Sequence, residues 1–503
     1  MALVTITYIV ALLAAISSVG LILPRYRQWK KLSHIPGPAI AGWSKIWLLR
    51  HVLPGRLCKR LEEVTKTYGP IARVGPDWVV CSDPAEIRRI WGIRSGYYRA
   101  SWYKATRLDP DNDNVLTLTD NKAHHHIRSR LLPGYSGKGM HNQEEMADTQ
   151  VHKLIQLLER KYLSTPDAIR PCNLARTMQY LTQDVITAVG FGQAAGYLDV
   201  DEDMFGVIQA CETVLLPVHV ISFLPILRAI LSTWIVKPFL PKPTDRHGVG
   251  RFLGVIKDHC DRRFGDSAIR RNDILQTFVD SDLTRKQVES EALVTLFGGT
   301  DTTATGLRNI IFFLTANANA YRTLQSEIDT AVKTAARPII TDEHAKSLPY
   351  LQACIREGLR MWPPSMGIMG KVSDDDDEIC GKHIPAGTQV GWAALAIMHD
   401  KKIFGGDADV YEPRRWLDTE PGNLNEMEAI YGLVFATGTR WECLGKRLAY
   451  VEMRKVIFEV EQLFCRFDMS MISPMEPFKW VNHGLTAQHD MNIRFTRRQI
   501  EML

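Results

Sequence analysis

Apolar side chains recur every three to four residues along two long stretches of the chain, the spacing that places them on one face of an α-helix. The first stretch runs from Asp282 to about Ala318, contains no proline, and opens with a capping box formed by Thr284 and Gln287. The second begins directly after Cys443, and its apolar positions are Ala449, Met453, Val456, Ile457, Val460, Leu463 and Phe464. The sequence therefore predicts one very long helix and a second amphipathic helix that starts at a cysteine.

The N-terminus has a different pattern. Residues 2–23 carry no charge and are rich in Leu, Ile, Val and Ala, and this length suffices to span a bilayer as a helix. Four basic residues follow between positions 25 and 31, so the positive-inside rule places the rest of the chain in the cytosol. A cleaved signal peptide is the competing interpretation, but its basic residues would precede the apolar segment. We expect a membrane anchor over residues 1–24 and a basic, proline-rich hinge over residues 25–40.

A second apolar region, residues 214–240, is interrupted by Pro217, Pro225, Arg228 and Pro238. Because proline disfavours a continuous helix, this pattern predicts short helices rather than a second membrane span. These helices would either lie on the membrane surface or pack as a pair against the core.

Composition narrows the function classes. The 503 residues are 45% hydrophobic and 23% charged, with a net charge of +5, which is ordinary for a globular protein. The small net charge and the lack of basic runs with interleaved aromatic residues argue against a nucleic-acid partner. The nine cysteines are scattered without a C-x-x-C pair, which is typical of a reducing compartment and argues against a disulfide framework or a zinc module.

Cys443 has the surroundings of a ligand. A glycine-rich loop leads to it and a helix should begin behind it, so its sulfur would lie among the unpaired N–H groups of a helix N-terminus, which favour the thiolate. Gly438 and Gly445 let a flat cofactor approach the backbone, and Arg440 adds a permanent cation. A single thiolate is a poor zinc site but suits the axial position of haem iron. The alternative is a buried free cysteine.

The predicted long helix contains an unusual central run, Phe297-Gly-Gly-Thr-Asp-Thr-Thr303. Its glycines, acid and threonines are poor helix formers, and such local conflict is expected where function overrides folding. A glycine pair can bend the helix, and a threonine hydroxyl can then bind a water or a small ligand. The alternative is that the glycines only allow close helix packing.

Two pairs of polar residues are further candidates. Glu357 and Arg360 lie one helical turn apart, directly before a proline pair, although most such pairs are exposed and contribute little. His124 and Arg128 share a helix face. The three consecutive histidines at 124–126 point in different directions, so they are not expected to chelate one metal together.

These motifs together resemble the cytochrome P450 family. Residues 435–445 are similar to the family's haem-binding motif, except that two residues rather than one separate Arg440 from Cys443. The Gly-Gly-x-Asp-Thr-Thr run is similar to its oxygen-binding motif, and Tyr411-Glu-Pro-Arg-Arg-Trp416 to its Pro-x-Arg-Phe element, with Trp in place of Phe. The segments 133–137 and 379–388 are similar to fungal members of the pisatin demethylase type.

The resemblance implies a mainly α-helical fold with a smaller β-sheet region, formed by residues 41–503. Haem b would lie between the long central helix and the helix after the cysteine. The implied roles are Cys443 as axial iron ligand; Arg440, His124 and Arg128 as haem contacts; Thr302 as holder of dioxygen and of its proton-donating water; Asp301 as proton relay; and Glu357, Arg360 and Arg415 as a structural ion-pair triad.

The implied activity is insertion of one oxygen atom from O₂ into a lipophilic substrate in fungal secondary metabolism. Electrons would come from a separate NADPH-dependent flavoprotein reductase, with Lys446, Arg447, Arg454 and Lys455 as candidates for its docking face. The protein would be a single-pass endoplasmic reticulum protein whose catalytic domain faces the cytosol.

Substrate contacts are expected in residues 95–120, 205–240, 294–302, 364–370 and 483–490. Apolar and small residues in them, such as Met366, Ile368, Met369, Leu485 and Thr486, favour a terpenoid or polyketide, with detoxification of a plant phenolic or xenobiotic as the alternative. A haem isomerase or dehydratase and a non-enzymatic membrane haem protein are further hypotheses, and the intact oxygen-binding motif argues against the first. A hydrolase is disfavoured, because the sequence has no nucleophile elbow and no His-Glu-x-x-His helix.

Overall fold

The computed structural model describes residues 22–107, 112–137, 140, 142–265, 268–336, 338–461 and 467–497. Helices dominate these residues. A helix covers residues 22–31. The other α-helices are Ile46–Val52, Leu57–Tyr68, Pro84–Trp91, Asn121–Ser136, Gln143–Leu157, Leu174–Phe191, Tyr197–Val200, Val207–Phe223, Pro225–Leu231, Gly248–Asp261, Ile274–Val279, Arg285–Ala316, Ala318–Ala331, Asp342–Lys346, Pro349–Met361, Ala394–Met398, Lys401–Phe404, Arg415–Asp418, Pro421–Tyr431 and Lys446–Glu461. Short 3₁₀-helices are Ala39–Gly42, Ser101–Thr106, Met204–Gly206, Lys237–Phe239 and Gly432–Phe435, and Leu158–Tyr162 is a π-helical turn.

The strands are short and form small sheets. They are β1 (Ile71–Gly75), β2 (Trp78–Cys81), β3 (Tyr98–Arg99), β4 (Leu163–Ser164), β5 (Cys172–Asn173), β6 (Lys371–Val372), β7 (Asp377–Ile379), β8 (Lys382–Ile384), β9 (Gln389–Trp392), β10 (Phe467–Met471), β11 (Lys479–His483), β12 (Leu485–His489) and β13 (Asn492–Arg497). One sheet has the order β1-β2-β9-β6-β3, another has the order β10-β13-β4 with β5 also on β13, and β7–β8 and β11–β12 are separate hairpins. The expected mostly helical fold with small sheets is confirmed.

Arg285–Ala316 is the predicted long helix, called the central helix below. It begins after Thr284, whose capping box with Gln287 is formed on both sides. Residues 297–303 remain helical, so the glycine pair does not interrupt the helix. A Cβ at Gly299 would lie only 2.6 Å from Ile186, and one at Gly306 would lie 3.0 Å from Leu359 and 3.2 Å from Met453. Glycine at these positions therefore allows the helix Leu174–Phe191, and the helices Pro349–Met361 and Lys446–Glu461, to pack closely on the central helix.

The predicted anchor lies almost wholly outside the described residues, which begin at residue 22. In the part of the chain that the structure describes, Met204–Phe223 meets the length and hydropathy of a membrane span, with a mean hydropathy of 1.6. This segment is not one regular helix, because Phe205, which lies inside the 3₁₀ turn that precedes Val207–Phe223, has a φ of 58°.

Pro217 was expected to end a helix, and this prediction is wrong because Val207–Phe223 continues through it. Aromatic packing holds the turn that follows the proline: the ring of His219 lies 6.0 Å from that of Trp102, and the ring of Phe223 lies 5.6 Å from that of Trp78. Tertiary contacts of this kind compensate for the hydrogen bond that proline cannot donate. The short helices Pro225–Leu231 and Lys237–Phe239 follow, as predicted.

Candidate active site

The cysteine loop is closed by its own backbone despite its extra residue. The N–H of Cys443 donates to the carbonyl of Phe435 at 2.9 Å, and Gly438, with a φ of 74°, supplies a left-handed turn position. The backbone N–H groups of Gly445 and Lys446 donate to the cysteine sulfur. The helix begins at Lys446, three residues after the cysteine, so the sulfur lies at its N-terminal end.

Cys443 is exposed, whereas the other described cysteines are buried or half-buried. Burial is nevertheless the largest effect on its thiol and raises the pKa. The N–H groups of Gly445 and Lys446 and the charge of Arg128 oppose this effect without outweighing it. The helix N-terminus thus acts on the thiol in the expected direction, but burial is the larger effect on its pKa in this structure.

Basic side chains gather beside this loop. His124 is 2% exposed, and burial together with the charges of Arg99, Arg128 and Arg440 lowers the pKa of its imidazole to about 3. A neutral imidazole among three guanidinium groups can donate a hydrogen bond without adding a fourth charge. The structure thus brings the three predicted haem contacts together.

Main-chain carbonyls orient the two predicted arginines. Arg128 donates to the carbonyl of Glu442, inside the cysteine loop. Arg440 donates to the carbonyl of Ser95 at 2.8 Å and to that of Ile93. The extra residue in the loop therefore leaves Arg440 directed at the segment that leads to β3.

Sequence reasoning missed two buried cations of this group. Arg99, on β3, is 6% exposed, its Nε has no hydrogen-bond partner, and burial lowers its pKa to about 10. Lys371, on β6, donates to the hydroxyl of Tyr103 at 2.9 Å and lies 4.5 Å from the ring of Trp441 in the cysteine loop. Burial lowers the pKa of Lys371 well below its ordinary value. Arg99 falls in an expected contact region, but nothing local distinguishes either residue.

The basic group contains four cations: Arg99, Arg128, Arg440 and Lys371. Each of them donates its hydrogen bonds to neutral oxygens, and none forms an ion pair within the described ranges. Arg99 and Lys371 are buried and the other two are half-buried, and burying a cation without an anion is costly. Haem carries two propionates and one iron that accepts a single thiolate, so the residues present fit it. The described chain contains no group of three or more His, Cys, Asp or Glu side chains that could hold a bare metal ion.

Gly298 and Thr302 lie one turn apart on an open face of the central helix. Gly298 is exposed, and a Cβ there would meet no atom within 4 Å. The half-buried Thr302 donates its hydroxyl to the carbonyl of Gly298 at 2.7 Å. The two adjacent glycines thus differ: Gly299 allows helix packing, whereas Gly298 leaves space beside a hydroxyl.

Asp301 belongs to a buried polar network on the other side of the helix. It is 6% exposed, accepts from Nε2 of Gln179 at 2.8 Å, and burial raises the pKa of its carboxyl. The same amide nitrogen donates to Glu212 at 2.7 Å, and Arg176 pairs with Glu212 at 3.1 Å. Gln179 therefore links two carboxyl groups that come from different helices. No motif marks Gln179 or Glu212, so the sequence did not predict them.

Glu357 is fully buried at the centre of the predicted ion-pair group. Arg360 binds it through two nitrogens, each at 2.8 Å, and Arg415 donates through Nε at 2.9 Å. The indole of Trp416 donates at 2.9 Å and the backbone N–H of Glu412 at 3.0 Å. The Trp that replaces the Phe of the P450 pattern therefore adds a donor to a buried carboxylate.

The remaining donors of the two arginines are also satisfied. Arg360 donates to the carbonyls of Met398 and Ala408, both at 2.6 Å, and Arg415 pairs with Asp407 at 2.9 Å. The group is thus a closed network rather than a pair of buried charges, which is the condition under which buried ion pairs are tolerated.

The expected substrate-contact regions meet, but not all of the named residues line a space. Residues 364–367 bind the 484–486 turn, since the N–H of Met366 donates to the carbonyl of Gly484 at 3.0 Å. Met366, Ile368 and Thr486 have at most 2% exposure, so they support this wall rather than line it. Met369 and Leu485 are half-buried and remain candidates for contact.

The predicted docking face is partly wrong. Lys455 is fully buried and pairs with Glu144 at 2.8 Å and with Asp148 at 2.5 Å. Arg454 pairs with Asp342 at 2.8 Å. Internal ion pairs therefore occupy these two cations, whose helix face turns towards the protein, whereas Arg447 is exposed near the cysteine loop.

A surface pocket of about 620 Å³ lies elsewhere, between the starts of the helices Val207–Phe223 and Gly248–Asp261. Its lining includes Phe205 and Pro217 but no residue of the cysteine loop, of the basic group beside it or of the central helix, so its size alone does not relate it to the chemistry of the cysteine loop.

Comparison with known proteins agrees with this geometry. The family model described as Cytochrome P450 matches residues 36–488. Cytochrome P450 monooxygenase ABA1 of Pyricularia oryzae is 37% identical over 495 residues, which cover 96% of each chain. Cytochrome P450 monooxygenase abl1 of Leptosphaeria maculans is 35% identical over 470 residues, 92% of this chain and 82% of the relative. Cytochrome P450 monooxygenase mpaDE of Penicillium brevicompactum is 27% identical over 477 residues, 92% of this chain and 55% of the relative.

Proposed function

Because the chain belongs to the cytochrome P450 family, whose members are monooxygenases, we propose that it inserts one atom of O₂ into a lipophilic organic substrate. The observation that carries the proposal is a single exposed cysteine at a helix N-terminus, beside buried and half-buried basic side chains that form no ion pair with any described residue. The alternative of a buried free cysteine accounts for neither its exposure nor the cations.

When bound, haem b supplies the iron at which O₂ is activated. Cys443 is the protein ligand that we assign to it. The propionates would neutralise the basic group, and hydrogen bonds to charged partners are the stronger kind. The residues assigned to them are His124, Arg128, Arg440, Arg99 and Lys371.

Two residues of the central helix, Thr302 and Asp301, would deliver protons to the oxygen-binding site. The hydroxyl of Thr302 already donates to Gly298, so its oxygen can still accept from a water on the open side. Asp301 has a raised pKa, which suits a group that must both take up and release a proton. In our proposal Asp301 leaves Gln179, rotates towards Thr302, and passes on a proton received from the side of Glu212.

Electrons would come from a separate partner, most simply an NADPH-dependent flavoprotein reductase with an acidic docking surface. Arg447 is an exposed cation on the helix that begins directly after the cysteine loop. Charge complementarity at such a surface acts mainly on the rate of association. Charge reversal at Arg447 should therefore slow reduction more at low salt than at high salt.

Membrane attachment would place the protein on the endoplasmic reticulum with residues 41–503 in the cytosol, residues 1–24 as anchor and residues 25–40 as hinge. A second apolar contact supports this arrangement. Ile226, Trp234 and Phe239 are 66%, 83% and 86% exposed, an apolar surface that a soluble environment does not favour. This segment would dip into the cytosolic leaflet of the membrane that the anchor spans.

The substrate class that we propose is a fungal secondary metabolite such as a terpenoid or polyketide. The fungal relatives and the half-buried Met369 and Leu485 support a lipophilic molecule. Detoxification of a plant phenolic or xenobiotic is the alternative within the same chemistry. Incubation with candidates of both classes and the reductase, followed by mass spectrometry of the products, would separate them.

The central experiment is the absorption spectrum of the dithionite-reduced protein with carbon monoxide, for the wild type and Cys443→His. We expect a strongly red-shifted Soret band that the variant loses. Cys380→Ala, which removes a cysteine outside the loop, is the control and should keep the band. An ordinary haem–CO band in fresh wild type, or no haem at all, would refute thiolate ligation by Cys443.

A further inference from the structure

Cys81 and Cys380 are far apart in the sequence and adjacent in the fold. Cys81 is the last residue of β2 and is fully buried, whereas Cys380 is half-buried at the tip of the β7–β8 hairpin. The two thiols lie close enough for each to change the pKa of the other. Neighbouring thiols of this kind are candidates for a disulfide.

Backbone contacts hold the two segments together independently of the thiols. The helix Pro84–Trp91 follows directly on β2, and its Glu86 accepts from the backbone N–H of Cys380 at 3.2 Å. Arg89 of the same helix binds Asp377, on the hairpin, at 2.8 Å. These contacts fix the hairpin tip next to the end of β2, so the two cysteines are held near each other by the fold.

The turn at Cys380 is unusual for a cysteine. Ile379 pairs with Lys382, so the loop has two residues, and both have positive φ: 51° at Cys380 and 71° at Gly381. Such turns favour Asn, Asp or Gly at the first position. Cysteine is strained there, so local turn geometry does not account for it.

The environments of the two thiols differ in a way that allows one of them to react first with an oxidant and the other to complete the disulfide. The neighbouring thiol of Cys81 lowers the pKa of Cys380, whereas the thiol of Cys380 and burial raise the pKa of Cys81. Cys380 is also the more accessible of the two thiols, since it is half-buried at the hairpin tip whereas Cys81 is fully buried. Redox-sensitive pairs combine a reactive cysteine with a resolving one in this manner.

We propose that Cys81 and Cys380 form a reversible disulfide in response to hydrogen peroxide, as a modification site separate from the haem site. The Cys380 thiolate attacks peroxide, the O–O bond breaks, and a sulfenic acid and water result. The Cys81 thiol then attacks the sulfenic sulfur, the S–S bond forms, and a second water leaves. In total two thiols and one peroxide give one disulfide and two waters, and cytosolic thiols reverse the reaction.

One source of peroxide is the enzyme itself, because oxygen that is activated without reaching substrate is released as hydrogen peroxide. This source rests on the proposed function, whereas the dithiol chemistry does not. The disulfide would join the β7–β8 hairpin to β2, next to the helix that leads towards Arg99. Turnover that releases peroxide instead of product would thereby oxidise the cysteine pair of the protein that produced the peroxide.

The test uses the full-length holoprotein, treated with a few equivalents of hydrogen peroxide or with diamide, a thiol oxidant that spares haem. After denaturation and alkylation, free thiols should fall from nine to seven per chain, and non-reducing peptide mass spectrometry should find Cys81 joined to Cys380. Dithiothreitol should restore all nine. If Cys81 stays alkylatable while Cys380 is unchanged or overoxidised, the proposal is wrong.

Cys380→Asn is the informative variant, because Asn fits the positive φ of the turn and should fold at least as well as the wild type. It should lose no thiol pair on oxidation, whereas Cys58→Ser, which alters another buried cysteine, should still form the disulfide. The reduced carbon monoxide spectrum is recorded on the same samples. A normal thiolate band without the disulfide overturns only this inference, and the disulfide without that band overturns only the proposed function.

Discussion

Replacing Trp416 by Phe tests whether the buried carboxylate of Glu357 depends on an indole donor. Trp416 is 2% exposed, and its Nε1 donates to Glu357 at 2.9 Å. Phe retains an aromatic ring but removes the N–H group. Losing a hydrogen bond to a charged group costs about 1.5–3 kcal/mol, against about 0.5–1.5 kcal/mol for a neutral partner.

Trp392 provides a matched control. It is also 2% exposed, and its Nε1 donates to the neutral carbonyl of Gly367 at 2.9 Å. Trp392→Phe removes the same atoms, so the cost of the smaller ring is common to both variants. We expect Trp416→Phe to be less stable than Trp392→Phe by about 1–1.5 kcal/mol, roughly tenfold in the unfolding equilibrium.

Urea titrations of the three holoproteins, followed by circular dichroism and by the carbon monoxide band, measure this difference. The slopes of the transitions should agree, so that the midpoints can be compared directly. Equal losses in both variants would mean that the other four donors to Glu357 compensate fully. That result would refute the argument that this carboxylate needs every donor it has.

Three other predictions concern the central helix. Thr302→Ala should give less product and more peroxide per NADPH consumed, because the hydroxyl that holds the proton-donating water is lost. Thr303→Ala is the control. An unchanged ratio of product to NADPH in Thr302→Ala would contradict the role of Thr302 and would favour the isomerase hypothesis. Gln179→Leu should slow turnover and increase the solvent deuterium isotope effect on turnover, because Asp301 loses its only described hydrogen-bond donor, at 2.8 Å. An isotope effect equal to that of the wild type would contradict proton transfer through Asp301. Burial raises the pKa of Glu291 from 4.5 to about 8, so the folded state holds a proton that the unfolded state releases, and stability should fall as pH rises through this window. Glu291→Gln should lack that part of the decline in urea titrations at several pH values, and parallel pH profiles would contradict the assignment.

Local chemistry made the helices predictable. The capping box at Thr284 and the apolar spacing behind Cys443 are properties of neighbouring residues, so they indicated the central helix and the helix Lys446–Glu461 closely. Pro217 shows the limit of such rules, because the packing of His219 and Phe223 carried a helix through it.

The polar networks were not predictable in the same way. Gln179 and Glu212 come from two other helices and meet Asp301 only after folding. Arg99 and Lys371 lie on short strands whose sequences carry no motif. No periodicity or spacing relates residues that are brought together only by the packing of distant elements.

The sequence by itself determined which groups could serve as ligand, hydroxyl and ion pair, because these are chemical identities placed by short motifs. Tertiary structure alone decided their charge states and accessibility. The helix N-terminus of Cys443 predicted a low pKa, yet burial raises it; Lys455 was expected on a docking surface, yet it is buried against two carboxylates. Burial depends on everything that surrounds a side chain, and in a low-dielectric interior it outweighs the local backbone field.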